Sequence, residues 1–156
     1  MSKTAHILTF KSPDDTALFS AALARRLVPG DVVLLEGGIG AGKTHLARSA
    51  ILALLDTPED VPSPTFTLVQ VYNTANFDIW HSDLYRLSHP DEAFELGLDQ
   101  AFGDAVCFVE WPDRLGDLAP SNALTISLET SDDPDQRLAR LGYSAPKWTT
   151  RLEGVL

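Results

Sequence analysis

The run Gly37-Gly38-Ile39-Gly40-Ala41-Gly42-Lys43-Thr44 follows the pattern G-x-x-x-x-G-K-[ST]. Each residue type in it suits the binding of a polyphosphate. Glycines let the backbone adopt positive φ and approach a ligand closely. The N–H groups from Gly38 to Gly42, with the start of the following helix, can surround phosphate oxygens with partial positive charge. Lys43 supplies a full positive charge for the β- and γ-phosphates. The Thr44 hydroxyl is a suitable ligand for Mg²⁺, a hard cation that takes oxygen donors. The pattern follows an apolar strand-like run and opens a helix-like one, which is the context the mechanism needs.

A hydrolase built on this loop also needs an acid near the metal and a group that positions water. Glu110 ends the apolar run Val106-Cys107-Phe108-Val109, and Asp83 lies at the end of another strand, in His81-Ser82-Asp83-Leu84-Tyr85-Arg86. Ligands of open α/β sheets bind at the carboxyl ends of strands. Thr65, in Ser63-Pro64-Thr65-Phe66, sits on a loop after the phosphate-loop helix, where a residue could sense the terminal phosphate. His81 reads as a polar strand residue, since no second His or Cys at metal spacing supports a zinc site. His45 reads as a packed or exposed residue. Trp80, Trp111 and Trp148 read as packing residues, with Trp111 the exception because it follows Glu110. No Asn-Lys-x-Asp tetrad occurs, so the usual guanine-reading element is absent and the base preference moves towards adenine.

These residues need elements to hold them. His6–Phe10 reads as a short strand. Ser12-Pro13-Asp14-Asp15 starts a helix that runs to about Leu27 and stops at Pro29-Gly30. Val32–Leu35 is a continuous apolar run typical of a buried parallel strand. A helix then spans Lys43 to about Leu55, and Pro58, Pro62 and Pro64 mark a loop. Phe66–Tyr72 and Phe77–Tyr85 read as strands of a hairpin, and Pro90–Leu96 as a short helix closed by Gly97. Ala105–Val109 and Ala123–Glu129 are further strands. Gln136–Ser144 has helical propensities, but the loop Ser131–Asp135 before it suits a hairpin, and we assign it as a strand. Residues 146–156 form either a short helix or a frayed tail. With no repeat or linker in view, residues 1–156 are expected to form a single α/β domain.

Composition narrows the function. Twelve Lys and Arg stand against 22 Asp and Glu, a formal charge of −10. Such a chain is a poor autonomous binder of nucleic acid, because that affinity comes largely from neutralising phosphates. If nucleic acid matters, partners should hold it. The one cysteine, Cys107, cannot close an internal disulfide and reads as a small buried hydrophobe. No basic segment followed by a long apolar stretch opens the chain, and the longest apolar run, Ala50–Leu55, is too short to cross a bilayer. The expected setting is the cytoplasm, with no membrane partner.

Four blocks together carry a resemblance: Gly37–Thr44, Ser63-Pro64-Thr65-Phe66-Thr67-Leu68-Val69, Asp83-Leu84-Tyr85-Arg86-Leu87 and Val109-Glu110-Trp111-Pro112. In order and spacing, from about Gly30 to Leu115, they resemble the TsaE (YjeE) family, the bacterial ATPase of threonylcarbamoyladenosine (t6A) tRNA modification. The likeness implies a P-loop NTPase fold, with a central, mostly parallel sheet extended by antiparallel strands and helices on both faces. It implies binding of ATP with Mg²⁺ and slow hydrolysis by the protein alone. It also implies partners: TsaD and TsaB, whose transfer of threonylcarbamoyl to adenosine 37 of tRNAs reading ANN codons is sustained by the hydrolysis. The tRNA would be met only indirectly, through that complex.

By the same resemblance, Lys43, Thr65, Asp83 and Glu110 would be the catalytic residues. Thr44 and Glu110 would hold Mg²⁺, and Asp83 and Thr65 would lie by the γ-phosphate or the attacking water. Gly38, Ile39, Gly40, Ala41, Gly42, Lys43 and Thr44 would bind the phosphates, and Phe10 and Arg137 would border the adenine. Gly38 stands where the family usually has an acid, His45 where it has a threonine, and Pro62 where a basic residue is common. A small-molecule kinase is the rival reading, but it needs an arginine-rich lid, and Arg86, Arg114, Arg137 and Arg140 are scattered. A nucleotide sensor that does not hydrolyse is the third.

Overall fold

The computed structural model describes residues 3–156. Its strands are β1 (Lys3–Phe10), β2 (Val32–Glu36), β3 (Val69–Asn73), β4 (Asp78–Asp83), β5 (Val106–Glu110), β6 (Leu124–Thr130) and β7 (Arg137–Tyr143). The α-helices are α1 (Pro13–Ala24), α2 (Lys43–Leu54), α3 (Glu92–Glu95), α4 (Leu98–Asp104) and α5 (Lys147–Arg151). The strands form one sheet in the order β1-β7-β6-β2-β5-β4-β3. The four central neighbours β6, β2, β5 and β4 are parallel. Antiparallel strands extend the sheet at both ends, β3 beside β4 on one side and β7 then β1 beyond β6 on the other.

The continuous apolar runs belong at the centre because both faces of the sheet are covered. Val33 and Leu35 of β2 face one apolar layer with α1, α2 and Trp148. Val32 and Leu34 face the other, with Leu98 and Ala101 of α4. Helix α1 starts as its sequence directs: the Ser12 hydroxyl accepts from the Asp15 N–H at 3.3 Å, and the Asp15 carboxylate accepts from the Lys11 N–H at 3.0 Å. Cys107 is fully buried, and burial pushes its thiol up to about 12, so it is an inert core residue.

Several boundaries differ from expectation. β3 begins at Val69 rather than Phe66, because Leu68 has φ 67° and its N–H closes a turn on the Pro64 carbonyl at 2.7 Å. β4 ends at Asp83 rather than Tyr85, since the Asp83 carboxylate accepts from the Tyr85 N–H at 3.0 Å and turns the chain. Gly97, at φ 85°, ends α3 as expected, but it also opens α4, which was not expected. Nor was the 3-10 segment Pro112–Leu118, broken at Gly116. The segment Arg137–Tyr143 is a strand despite its helical propensities, because it pairs on both sides. Among the described residues no helix is long and apolar enough to cross a membrane.

The C-terminal residues form a docked helix. Trp148 is fully buried and donates from its indole to the Asn122 carbonyl at 2.7 Å. Asp31, also buried, accepts from Lys147 at 2.9 Å, Arg151 at 2.6 Å and the Val28 N–H at 2.9 Å. Burial alone would raise the Asp31 carboxyl, but the Arg151 and Lys147 hydrogen bonds outweigh it and hold it below its ordinary 3.8. A depressed carboxylate stabilises the fold fully above its unfolded pKa, and that contribution is lost as pH falls through the folded value. Asp31→Asn should therefore cost about 3 kcal/mol at pH 7, since it leaves two cations uncompensated. The gap from the parent chain should close below about pH 4, as denaturant melts across pH would show.

Candidate active site

Parallel pairing aligns the ends of three strands. Leu35 lies opposite Glu110, and Asp83 opposite Glu110, so the loops leaving β2, β4 and β5 share one edge. The β2 loop turns directly into α2. Gly37 makes this possible: it has φ 146°, and a Cβ there would lie 2.7 Å from the Leu128 carbonyl oxygen and 3.0 Å from the Ala41 methyl. Only glycine lets the loop pass that close to β6. Gly42, at φ 103°, then tips the chain into α2.

Lys43 opens α2 and is buried, with Nζ donating to the carbonyls of Gly37 at 2.6 Å and Gly38 at 2.8 Å. The same ammonium lies 4.1 Å from the centre of the Trp111 ring. Burial pushes its pKa below the usual 10.5, while Glu110, Asp83 and Asp113 pull the other way. Trp111 is itself in the left-handed region, at φ 57° and ψ 53°, a conformation uncommon for a bulky residue. That turn directly after β5 lays its ring beside Tyr85, 4.8 Å between centroids.

Two carboxylates complete the floor. The Thr44 hydroxyl donates to Glu110 Oε1 at 2.8 Å, which leaves its lone pairs for a further partner. His81 reaches Glu110 Oε2 through Nε2 at 2.7 Å. The Thr65 hydroxyl donates to Asp83 Oδ2 at 3.0 Å and also meets the Ser63 hydroxyl at 2.7 Å. Arg48 of α2 holds the same loop by donating to the Val61 carbonyl at 2.8 Å. Lys43, Thr44, Thr65, Asp83 and Glu110, expected from sequence, thus line one cleft of about 440 Å³. Ile39 to Gly42 line it too, whereas Gly38 stays outside and contributes its carbonyl to Lys43. Tyr85 and Arg86 line the cleft as well and were not selected as binding residues.

Arg137 lies at a second cleft of about 250 Å³, with Pro13, Thr16 and His45 on its walls. Its guanidinium donates to the carbonyls of Ala41 at 3.0 Å and Gly40 at 3.3 Å, so it braces the phosphate loop from β7. His45 similarly ties α2 to α1 through the Pro13 carbonyl at 3.0 Å. Phe10, expected to border an adenine, is a core residue instead: it is 4% exposed, packs on Phe19 at 5.1 Å, and lines neither cleft. The strand end was placed correctly, but its last side chain points into the sheet's apolar layer.

The donor set fits a nucleotide polyphosphate with Mg²⁺. Among the described residues no cluster of three or more His, Cys, Asp or Glu could hold a metal. Mg²⁺ does not need one, because it commonly takes one or two protein oxygens and completes its shell from phosphates and water.

The family described as "Threonylcarbamoyl adenosine biosynthesis protein TsaE" matches residues 10–139. Curated proteins named "tRNA threonylcarbamoyladenosine biosynthesis protein TsaE" align along most of the chain. That of Rickettsia bellii is 38% identical, covering 83% of this chain and 90% of its own length. Those of Treponema pallidum and Bacillus subtilis are 35% and 36% identical over 82% and 81% of this chain, and 94% and 79% of their own lengths. Among solved structures, Bacillus subtilis YdiB superposes with a TM-score of 0.77 at 28% identity, covering 99% of this chain and 95% of that one.

The close approach at Gly37 gives a direct check. Gly37→Ala must push the loop off Leu128, so it should cost about 2 kcal/mol in a denaturant melt and weaken nucleotide binding by calorimetry. An alanine variant with unchanged stability and binding would show that the contact is not required.

Proposed function

The chain belongs to the TsaE family, and on that premise we propose how its residues perform the family's work. It is a weak P-loop ATPase acting in threonylcarbamoyladenosine modification of tRNA. In our reading, backbone N–H groups of the loop at Ile39, Gly40 and Gly42 receive the phosphates of ATP, with the Ala41 N–H bonded to the Gly38 carbonyl at 3.2 Å and Lys43 as the counter-charge. Thr44 and Glu110 hold Mg²⁺, which would offset charge on the phosphate oxygens when bound. Asp83 accepts from Thr65, which fixes that hydroxyl at the rim, and the pair orients the attacking water at the terminal phosphate. Arg137 keeps the loop in shape and, with His45, walls the cleft assigned to the base.

The observation that carries this reading is the paired contact at one strand edge, Thr44 on Glu110 and Thr65 on Asp83, beside the phosphate loop. One carboxylate orients a hydroxyl from the loop, and the other orients a hydroxyl from the segment that follows α2. A site that only bound nucleotide would still use the first pair for Mg²⁺ but would not need the second, which in this reading serves the attacking water. The kinase reading is weakly served by the geometry: of the four scattered arginines only Arg86 lines the phosphate cleft, while Arg137 is spent on loop carbonyls and Arg140 on Glu129 at 3.1 Å. No arginine lid can be assembled from them.

The partners in this reading are TsaD and TsaB, and the setting is the cytoplasm. A chain of formal charge −10 suits a subunit that leaves the tRNA to others. Adding purified TsaD–TsaB should raise phosphate release from ATP several-fold, and no stimulation would reject the assignment of partners. Lys43→Ala should lower that stimulated rate by about 100-fold while leaving the melting temperature near that of the parent. Undiminished turnover would remove Lys43 from the mechanism.

A further inference from the structure

Glu110 is held at both oxygens, but only one of its partners belongs to the phosphate loop. We propose that His81 is a positioning residue for Glu110, setting the rotation of its carboxylate so that Oε1 faces Thr44 and the metal. The inference rests on the reading of Glu110 as a residue that serves Mg²⁺.

The geometry is specific. His81 lies two residues before Asp83 on β4, and it pairs with Phe108, two residues before Glu110 on β5. Side chains alternate along a strand, so His81, Asp83 and Glu110 share one face of the sheet. The ring is fully buried, and its Nε2 lies 2.7 Å from Glu110 Oε2. Its other nitrogen, Nδ1, is buried with no hydrogen-bond partner among the described residues. The ring proton therefore belongs on Nε2, where it is donated to the carboxylate. Its one polar contact among the described residues is directed at the site.

The terminal carboxylate torsion of a glutamate is broad. Two donors from different elements fix it: the Thr44 hydroxyl from α2 and His81 from a central strand. Thr44 also faces the ligand, so the invariant anchor is His81. Without the imidazole, Oε2 of a carboxylate that is 2% exposed loses its donor, and the group turns away from Thr44. Outer partners of metal-binding carboxylates tune affinity in this way, typically by 10–100-fold, as a general magnitude.

The test is nucleotide binding by calorimetry, with and without Mg²⁺, on the whole chain. His81→Leu should leave binding without Mg²⁺ nearly unchanged and raise the Mg²⁺ concentration for half-maximal enhancement by about tenfold. His81→Gln, whose amide can donate from a similar position, should recover most of that loss. Glu110→Gln, run in parallel, separates the two claims. If Glu110→Gln shifts the Mg²⁺ midpoint and His81→Leu does not, the positioning role is overturned and the metal reading stands. If neither shifts it, the metal reading falls, and this inference with it. Should His81→Leu fail to fold, the parent chain still decides the question by NMR. The His81 Nε2–H signal should move on adding Mg²⁺ to the ADP complex, with the midpoint seen in calorimetry, and a signal indifferent to Mg²⁺ would overturn the proposal.

Discussion

Glu110 sits where β5 leaves the sheet, 2% exposed, with Thr44 on one oxygen and His81 on the other. A buried carboxylate in that position is tolerable only if it is fully hydrogen-bonded. The architecture meets the requirement from two directions. Parallel pairing of β4 with β5 brings His81 and Asp83 alongside, and pairing of β5 with β2 brings the phosphate loop and α2. Parallel strands must be joined by crossovers, and crossovers put helices on both faces. The site and the covered sheet are consequences of one topology.

Sequence carried the parts of this that are local. The phosphate loop is a contiguous signature whose glycines have mechanical reasons, and its placement between strand and helix could be read directly. Glu110 and Asp83 were visible as acids at the ends of apolar runs. Register was not visible. His81 could be singled out only by knowing that β4 lies beside β5 with Asp83 opposite Glu110. Arg137 was selected for an adenine, and its bonds to the carbonyls of Gly40 and Ala41 depend on β7 pairing between β1 and β6, a long-range event. The burial of Phe10 has a simpler reason: the position of a strand end says nothing about which face its last side chain takes. Gly97 closes the short helix as its sequence directs, but the helix α4 that the same glycine opens went unseen, because glycine after a short helix signals only a stop.

Two buried charge clusters in the molecule show how one physics serves different ends. At Asp31, two cations converge on one carboxylate, its remaining contact is a backbone N–H, and the result fastens the last helix to the start of β2. The carboxylate is satisfied by these partners, and none of the three residues lines either cleft of the site. Around Lys43 the ratio is inverted: one buried cation stands near two buried carboxylates, and all three line a cavity. The ammonium spends its hydrogen bonds on loop carbonyls and reaches neither acid directly.

That inversion bears on what the cleft is for. If stability alone selected these residues, Asp83 and Glu110 would be replaced by apolar side chains at little cost, since buried ion clusters seldom outperform good packing. Their presence in an acidic chain makes sense when the site completes itself with added charge. In the proposed reading a divalent cation would answer the two carboxylates and the hydroxyls they orient, and a polyanion would answer the cation, the lysine and the loop amides. Neither ligand suffices alone: a bare polyphosphate would meet two acids, and a bare cation would find only a sparse protein shell. The electrostatics of the cleft therefore favour the pair over either component, which is the condition for a site that recognises Mg²⁺ and nucleotide together.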